Sequence, residues 1–309
     1  MPAPSLKRSV SAVVRACIKH LGVAVDASVQ LAVCGVTDVG RERTNNEDAL
    51  VIADATTGHV ALCPTRQAFD VTNTPMLLAV ADGMGGENAG EVASALTLAT
   101  LRDALAKELA RHEPGEALRA AIVYTNEVVT EAATTPGREG MGATLVAVIV
   151  RGSRAYVGTV GDSRAYVLRR HRLVQVTKDQ SFLQYLIDSG GITQDQIASF
   201  PQKNVILQAV GRAPGLRVPI GTIDLRRDDL LLLCTDGLTG EVEDDAIRDI
   251  TATTTLDTAS ARLIHAANEN GGRDNITVIV ASVSGGGVAE PTSDEVVSVT
   301  ALEPEPSPP

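Results

Sequence analysis

The chain contains no tryptophan, and aromatic residues make up only 2% of its 309 positions. Aliphatic side chains must therefore fill any core, for which the 44% hydrophobic content suffices. No stretch is long and apolar enough to cross a bilayer, and no sustained apolar region follows the basic residues near the N-terminus. We therefore predict neither a membrane span nor a signal peptide, and we expect a cytoplasmic protein.

Basic residues are fewer than acidic ones, 27 against 38, which gives a net charge of -11. Because no basic stripe is available to contact phosphates, nucleic acid is not an expected partner. The four cysteines form no CxxC pair and the five histidines are scattered, so neither a disulfide framework nor a His-rich zinc site is expected. This cysteine usage is typical of a reducing cytoplasm.

Carboxylates stand where strand-like runs end. The apolar run Met76–Ala81 is typical of a buried strand, and it ends at Asp82 in a cluster of glycines. Those glycines let the backbone turn sharply and let a ligand approach the main chain. Taken alone, Asp82 could equally cap a helix at a strand–turn–helix junction. Similar acid-bearing strand ends recur at Asp48, Asp162, Asp236 and Asp274. The recurrence predicts one carboxylate-lined pocket at the end of a sheet.

Carboxylate and carbonyl oxygens are the ligands that Mg²⁺ and Mn²⁺ prefer. Two such ions can share a bridging carboxylate and acidify a water for in-line attack on phosphorus. We predict Asp82 as the bridging, catalytic carboxylate, with the Gly83 carbonyl beside it. The other predicted ligands are Asp236 and Asp274 for one ion, and Glu47 and Asp48 for the second, directly or through water.

Arg43 is the predicted phosphate-binding and second catalytic residue, because its planar guanidinium can bind two phosphate oxygens. The alternative for Arg43 is an ordinary surface arginine. Asp162 and Arg164 are interpreted as an ion pair that stabilises a turn, a structural role.

Six short motifs follow one another along the chain. They are Arg43-x-x-Asn46-Glu47-Asp48, Asp82-Gly83-Met84-Gly85-Gly86, Gly140-Met141-Gly142-x-Thr144, Gly161-Asp162-Ser163-Arg164, Thr235-Asp236-Gly237 and Gly272-x-Asp274-Asn275. With these motifs in this order, the chain resembles the metal-dependent serine/threonine protein phosphatases of type 2C, the PPM family, in particular their bacterial branch. The resemblance covers about residues 30–284.

The resemblance implies an α+β fold, an α-β-β-α four-layer sandwich of two mainly antiparallel sheets flanked by helix pairs. The order of strand and helix patterns also favours a layered architecture, with a flap subdomain at about residues 178–215. The resemblance to the family further implies hydrolysis of phosphoserine and phosphothreonine at a binuclear Mg²⁺/Mn²⁺ centre. Phosphorylated proteins are then the expected partners, a Hanks-type kinase is an implied one, and we expect a monomer.

Three features depart from the family pattern. Animal members carry a histidine, thought to protonate the leaving group, where this chain and bacterial relatives have methionine, here Met84. Many bacterial members carry an aspartate for a third ion where this chain has Gly137, so we expect that site to be empty or filled only at high metal concentration. Some relatives continue into a membrane helix, whereas residues 285–309 are acidic and Pro-rich, which predicts a disordered tail. Residues 1–29 are interpreted as an N-terminal arm.

Two other functions are open on sequence grounds. One is a pseudophosphatase that binds phosphoproteins without cleaving them, although the presence of all the main metal acids argues against it. The other is a metal hydrolase acting on small phosphates such as nucleotides, for which the sequence offers no P-loop or dinucleotide fingerprint. Mn²⁺-dependent phosphate release from a phosphothreonine peptide, measured beside a nucleotide, separates the three functions.

Overall fold

The structure is a computed structural model, and it describes residues 27–61, 65–85, 89–197, 200 and 205–302. The strands in these ranges are β1 (Gln30–Asp38), β2 (Asp48–Asp54), β3 (Gln67–Asp70), β4 (Met76–Met84), β5 (Gly142–Ala143), β6 (Leu145–Arg151), β7 (Arg154–Val160), β8 (Arg164–Arg169), β9 (Arg172–Gln175), β10 (Ile220–Asp224), β11 (Leu230–Cys234), β12 (Ile276–Ser284) and β13 (Thr300–Leu302). The helices are α1 (Ala89–Glu108), α2 (Pro114–Ala132), α3 (Phe182–Asp188), α4 (Gln194–Ile197), α5 (Asp236–Thr239), α6 (Asp244–Thr253) and α7 (Leu256–Glu269).

The strands form two antiparallel sheets. The six-stranded sheet has the order β3-β1-β12-β11-β8-β9, and the seven-stranded sheet has the order β13-β10-β7-β6-β4-β2, with the short β5 paired to β4. Central strands such as β6 and β12 are buried along most of their length, because the sandwich covers both of their faces. No helix among the described residues is both long and apolar enough to cross a membrane.

Three apolar layers hold the sandwich together. Helices α1 and α2 present a stripe that includes Leu101, Leu105 and Leu118 to the outer face of the seven-stranded sheet. The facing surfaces of the two sheets bury a second, valine-rich layer. Helices α6 and α7 cover the outer face of the six-stranded sheet through residues such as Ile247 and Leu263. The predicted α-β-β-α sandwich with flanking helix pairs is therefore confirmed.

The predicted limits of the domain, residues 30 and 284, fall at the ends of two paired strands, although β13 beyond residue 284 also belongs to a sheet. Strand β1 begins at Gln30, β12 ends at Ser284, and these two residues are partners in the ladder. Residues 1–26 of the predicted N-terminal arm lie outside the described residues. The described residues of the predicted flap, 178–197, 200 and 205–215, hold α3, α4 and irregular backbone.

The segment 285–302, here called the C-terminal strap, packs on the domain, so the predicted disorder is wrong for these residues. Its last three residues form β13, which pairs with β10 along the edge of the seven-stranded sheet. Val288 and Val297 are buried. The Leu302 carbonyl accepts a hydrogen bond of 2.6 Å from Arg119 Nη2 on α2.

The acidic composition of the strap predicts disorder only because the arginines that pair with its Glu295 lie elsewhere in the chain. Glu295 accepts from Arg226 Nε at 2.6 Å and lies 3.4 Å from Arg169 Nη1. Arg169 is only 4% exposed and also binds Asp229, which is 1% exposed. A composition argument that considers the segment alone cannot detect these partners. The strap therefore completes a largely buried charge network at one end of the sandwich.

Truncation after Ser284 is expected to lower the melting temperature, because it removes two buried valines and one carboxylate partner of Arg169. Each buried valine contributes about 1.5–3 kcal/mol. Since 1 kcal/mol shifts the melting temperature of a domain of this size by about 2–4 °C, we expect a decrease of at least about 5 °C. Differential scanning calorimetry measures the difference.

Truncation after Leu302 is the matched control, since it keeps every strap contact named above. This variant should melt at the wild-type temperature. If the variant truncated after Ser284 also melted there, the strap would not contribute to stability.

Candidate metal centre

Acidic residues from both sheets meet at one edge of the sandwich. Asp48 in β2 and Asp82 in β4 are direct partners across the ladder. Asp236 follows β11 and Asp274 precedes β12 in the opposite sheet. The charges of Asp236 and Asp274 act on both Asp48 and Asp82, which places the four carboxyl groups in one cluster. The structure thus brings together the acids that the sequence predicts as one pocket.

Glu47 and the Gly83 carbonyl converge beside the first turn of α1. A Cβ added to Gly90 would lie 2.7 Å from Glu47 Oε1 and 2.9 Å from the Gly83 oxygen. A Cβ added to Gly83 would lie only 2.0 Å from the Gly90 oxygen. Glycine at both positions therefore preserves the space around these two oxygens. This arrangement supports Glu47 and Gly83 as ligands on the same side of the cluster.

Burial raises the pKa of three carboxyl groups of the cluster, those of Asp82, Asp48 and Asp236. Burial raises the pKa of Asp82 well above its usual range, and the charges of Asp236 and Asp48 raise it further. Burial raises the pKa of Asp48 to about 8, although hydrogen bonds from Thr277 and Thr235 oppose this effect. Burial raises the pKa of Asp236 as well, and the charge of Asp274 raises it further. In the absence of cations, burial therefore favours the protonated form of these three groups.

Two carboxyl oxygens in this cluster, Asp48 Oδ1 and Asp236 Oδ1, are buried without a hydrogen-bond partner. An unsatisfied buried polar atom costs about 1–3 kcal/mol, and more where the group is charged. Divalent cations would satisfy both oxygens and offset the mutual repulsion, and an all-oxygen donor set suits Mg²⁺ or Mn²⁺. No three His, Cys, Asp or Glu side chains among the described residues already form a closed cation site. The donor atoms present thus fit such ions in their chemistry.

Arg43 lies at the mouth of the cluster. Its Nη2 donates to Asp274 Oδ2 at 2.9 Å, with 45% of the arginine side chain and 37% of the aspartate side chain exposed. The exposure agrees with a surface arginine, but the contact aims its guanidinium at a predicted metal ligand. Arg43 therefore partly neutralises the cluster and stays accessible to a phosphate from solvent.

The predicted ion pair between Asp162 and Arg164 is wrong. Arg164 donates from Nε and Nη2 to Asp179, at 3.0 and 2.7 Å. Burial, followed by the charge of Asp236, raises the pKa of Asp162 to about 7. Asp162 therefore belongs electrostatically to the acidic cluster. The sequence feature that could have indicated this is the place of Asp162 just after β7, which matches the place of Asp236 just after β11.

Asn275 positions the loop that carries Arg43 and Glu47, and sequence reasoning assigned it no role. Its Nδ2 donates to the carbonyls of Val39 and Asn45, at 2.8 and 2.9 Å. Its Oδ1 accepts from Glu47 N at 2.8 Å. Because one buried amide holds the loop at three points, the loop is fixed against the start of β12.

Gly137 adopts a left-handed conformation, with φ of 84°. Its backbone N–H donates to Glu139 Oε2 at 2.9 Å, and no atom lies within 4 Å of where a Cβ would stand. Glu139, the nearby acid that could replace the missing carboxylate, is therefore engaged in its own turn. A weak or empty third ion site stays a prediction.

A cleft of about 410 Å³ opens from the cluster toward the predicted flap. Asp162, Asp236 and Asp274 line the cleft together with Ser181 and Leu183, which belong to the predicted flap. The cleft gives solvent access to the acids and is large enough for a phosphorylated side chain.

Comparison with known proteins identifies similar chains. The family model described as protein phosphatase 2C matches residues 64–276. The chain is 36% identical over 252 residues to the serine/threonine protein phosphatase PstP of Mycobacterium tuberculosis, covering 80% of this chain and 44% of that protein. It is 36% identical over 249 residues to the serine/threonine phosphatase stp of Listeria monocytogenes, covering 79% of this chain and 92% of that protein. The chain thus spans less than half the length of PstP.

Solved structures show the same architecture. The catalytic domain of PstP in complex with two manganese ions superposes with a TM-score of 0.68 at 33% identity, and the match covers 83% of this chain and 99% of that structure. Two manganese ions in that similar protein agree with the oxygen-rich cluster described above.

The metal-free protein is expected to lose stability as the pH rises. The pKa of Asp48 is about 8 in the folded protein against an ordinary value of 3.8, so the folded state holds a proton that the unfolded state releases. The contribution of the Asp48 carboxyl to the free energy of unfolding is therefore fully present below its ordinary pKa of 3.8, and it is lost as the pH rises toward 8. Each such proton changes the free energy of unfolding by about 1.4 kcal/mol per pH unit. Urea unfolding in EDTA at several pH values between about 6 and 8 measures the slope.

Asp82→Asn is the control for this slope, because asparagine cannot ionise and mimics the protonated carboxyl. The variant should show a flatter dependence and higher stability at alkaline pH. Wild-type stability that increased with pH over the same interval would contradict the raised pKa values.

Proposed function

The chain belongs to the protein phosphatase 2C family, and on that premise we propose that it removes phosphate from phosphoserine and phosphothreonine in proteins. The observation that carries the proposal is the buried acidic cluster with two unpartnered carboxyl oxygens beside an accessible arginine. Its substrates are then phosphoproteins of the cytoplasm, including the targets of a Hanks-type kinase, and the enzyme acts as a monomer.

We propose a centre of two Mg²⁺ or Mn²⁺ ions, with Asp82 as the shared ligand. The other residues that would hold the ions are Asp236, Asp274, Glu47, Asp48 and the carbonyl of Gly83. When bound, the two ions would supply Lewis acidity that acidifies a water for attack on phosphorus. The two manganese ions of the PstP structure support this stoichiometry. Proton retention in the ion-free cluster supports it too, since a divalent ion favours the ionised carboxylates.

Arg43 is proposed to bind two oxygens of the substrate phosphate. Its bond to Asp274 already places the guanidinium at the cluster mouth, and an incoming phosphate dianion would accept from the same planar group. Arg43 would offset the negative charge that increases on the phosphate oxygens as the bond to the leaving group breaks. The thioether of Met84 carries no ionisable proton, so we assign no protein side chain as the proton donor to the leaving group.

Mn²⁺-dependent phosphate release from a phosphothreonine peptide is the direct test of the proposed function. Wild-type protein should release phosphate in Mn²⁺ and lose this activity in EDTA. Asp82→Asn keeps the shape of the side chain but removes its charge, so turnover should fall at least about a hundredfold, the scale of losing a key electrostatic contact. Asp236→Asn and Asp274→Asn should raise the Mn²⁺ concentration needed for half-maximal rate.

The same assay distinguishes the alternatives. Binding of the phosphopeptide without turnover would indicate a pseudophosphatase. Faster turnover of a nucleotide than of the peptide would indicate a small-phosphate hydrolase. Near wild-type turnover of Asp82→Asn at low Mn²⁺ would contradict the assignment of the bridge, provided that circular dichroism shows an intact fold.

Arg43→Ala is expected to lower kcat/KM on the phosphopeptide by roughly 10- to 100-fold. This range corresponds to the about 1.5–3 kcal/mol typical of hydrogen bonds to charged groups. Arg41→Ala is the matched control, since Arg41 is another exposed arginine of the same loop. Its substitution removes the same charge as Arg43→Ala. Equal kinetics of the two variants would return Arg43 to the role of a surface residue.

A further inference from the structure

Asp48 differs from the other acids of the cluster because its carboxyl reaches from one sheet to the other. Thr235 Oγ1 donates to Asp48 Oδ2 at 2.8 Å. The hydroxyl of Thr277 also donates to this carboxyl. Asp48 lies in the seven-stranded sheet, whereas Thr235 follows β11 and Thr277 lies in β12 of the six-stranded sheet. Two hydroxyl groups thus fix an acid that comes from the facing sheet.

The hydrogen bonds continue beyond Thr277 and close into a ring. Thr277 Oγ1 lies 2.7 Å from Thr37 Oγ1 in β1. Thr37 Oγ1 accepts from Asn46 Nδ2 at 2.9 Å. Asn46 Oδ1 in turn accepts from the backbone N–H of Asp48 at 3.1 Å. The ring therefore contacts both the main chain and the side chain of Asp48.

The chemistry of each group fixes the direction of donation around this ring. A backbone N–H can only donate, so Asn46 turns its oxygen toward Asp48 and its NH₂ toward Thr37. In its ionised form, which is the form that binds a cation, the Asp48 carboxylate can only accept, so the single proton of Thr277 then points at Asp48. Thr277 must then accept from Thr37, whose own oxygen accepts from Asn46. Every side-chain donor from Asn46 onward points toward the carboxylate of Asp48.

We propose that Thr277, held in its rotamer by Thr37, is a positioning residue that turns Asp48 toward a divalent ion. The hydroxyls hold the carboxyl from one side, and Oδ1 is the oxygen that has no hydrogen-bond partner. Without the Thr277 hydroxyl, the carboxyl gains rotational freedom that ion binding must then remove. This inference rests on the proposed function, since it assumes that the cluster binds divalent cations.

Thr277→Val tests the inference, because valine matches the shape of threonine in a strand and lacks only the hydroxyl. Mn²⁺ binding to the substrate-free protein is measured by isothermal titration calorimetry. We expect the Kd to rise by about tenfold or more, the scale found when a hydrogen-bond partner of a metal ligand is removed. Thr277→Ser keeps the donor and should bind Mn²⁺ like wild type.

Thr159→Val is the matched control, since Thr159 is also a buried strand threonine, and its hydroxyl has no hydrogen-bond partner in the described structure. It should bind Mn²⁺ with wild-type affinity. If Thr277→Val also bound Mn²⁺ within about twofold of wild type, against the tenfold scale expected, the positioning role would be overturned.

Thr37→Val keeps the inference testable if Thr277→Val does not fold, because Thr37 is an exposed residue that touches no proposed ligand. Its Kd for Mn²⁺ should rise by a smaller factor, on the order of threefold. An unchanged Kd in Thr37→Val would overturn the role of the ring. Failure of wild-type protein to bind Mn²⁺ at all would instead overturn the proposed function, and the inference with it.

Discussion

Repulsion among carboxylates that two sheets bring to one edge is the constraint on which the rest of the structure depends. Asp48 and Asp82 oppose each other in one sheet, and Asp236 and Asp274 stand at the ends of the other. Burying such groups together is unfavourable unless cations or protons neutralise them. The surroundings hold the acids in place without supplying enough positive charge, since Arg43 is a partly exposed partner. The divalent ions proposed above would supply that neutralising charge.

The two ends of the sandwich resolve buried charge in opposite ways. At the end occupied by the strap, Arg169 and Asp229 form a nearly fully buried pair in which each ion satisfies the other. At the acidic end, two buried carboxyl oxygens lack hydrogen-bond partners, which lowers the stability of the ion-free protein. Local strain and unsatisfied groups are common at functional sites and require a stable scaffold. The strap contributes to that scaffold far from the proposed chemistry.

The sequence predicts most of the fold, because apolar runs and helical stripes mark the layers. It also predicts the acidic cluster, because its members stand at or near the ends of apolar runs. The sequence does not predict which arginine forms an ion pair with which acidic residue. Arg164 binds Asp179 instead of Asp162, and Arg226 binds Glu295, 69 residues further along the chain. Such pairs depend on tertiary packing, which local composition does not encode. The ring of hydrogen bonds around Asp48 could not be predicted from the sequence for the same reason, since Thr37 and Thr277 lie 240 residues apart.

The central claim is that the acidic cluster is a centre for two divalent ions, and calorimetric titration of the metal-free protein with Mn²⁺ tests it most directly. Titrations near pH 7 in two buffers of different ionisation enthalpy yield both the number of ions bound and the number of protons released. The account predicts two ions bound with release of protons, because ions displace the protons that Asp48 and Asp82 retain in their absence. Binding without proton release, or no saturable binding, would contradict it.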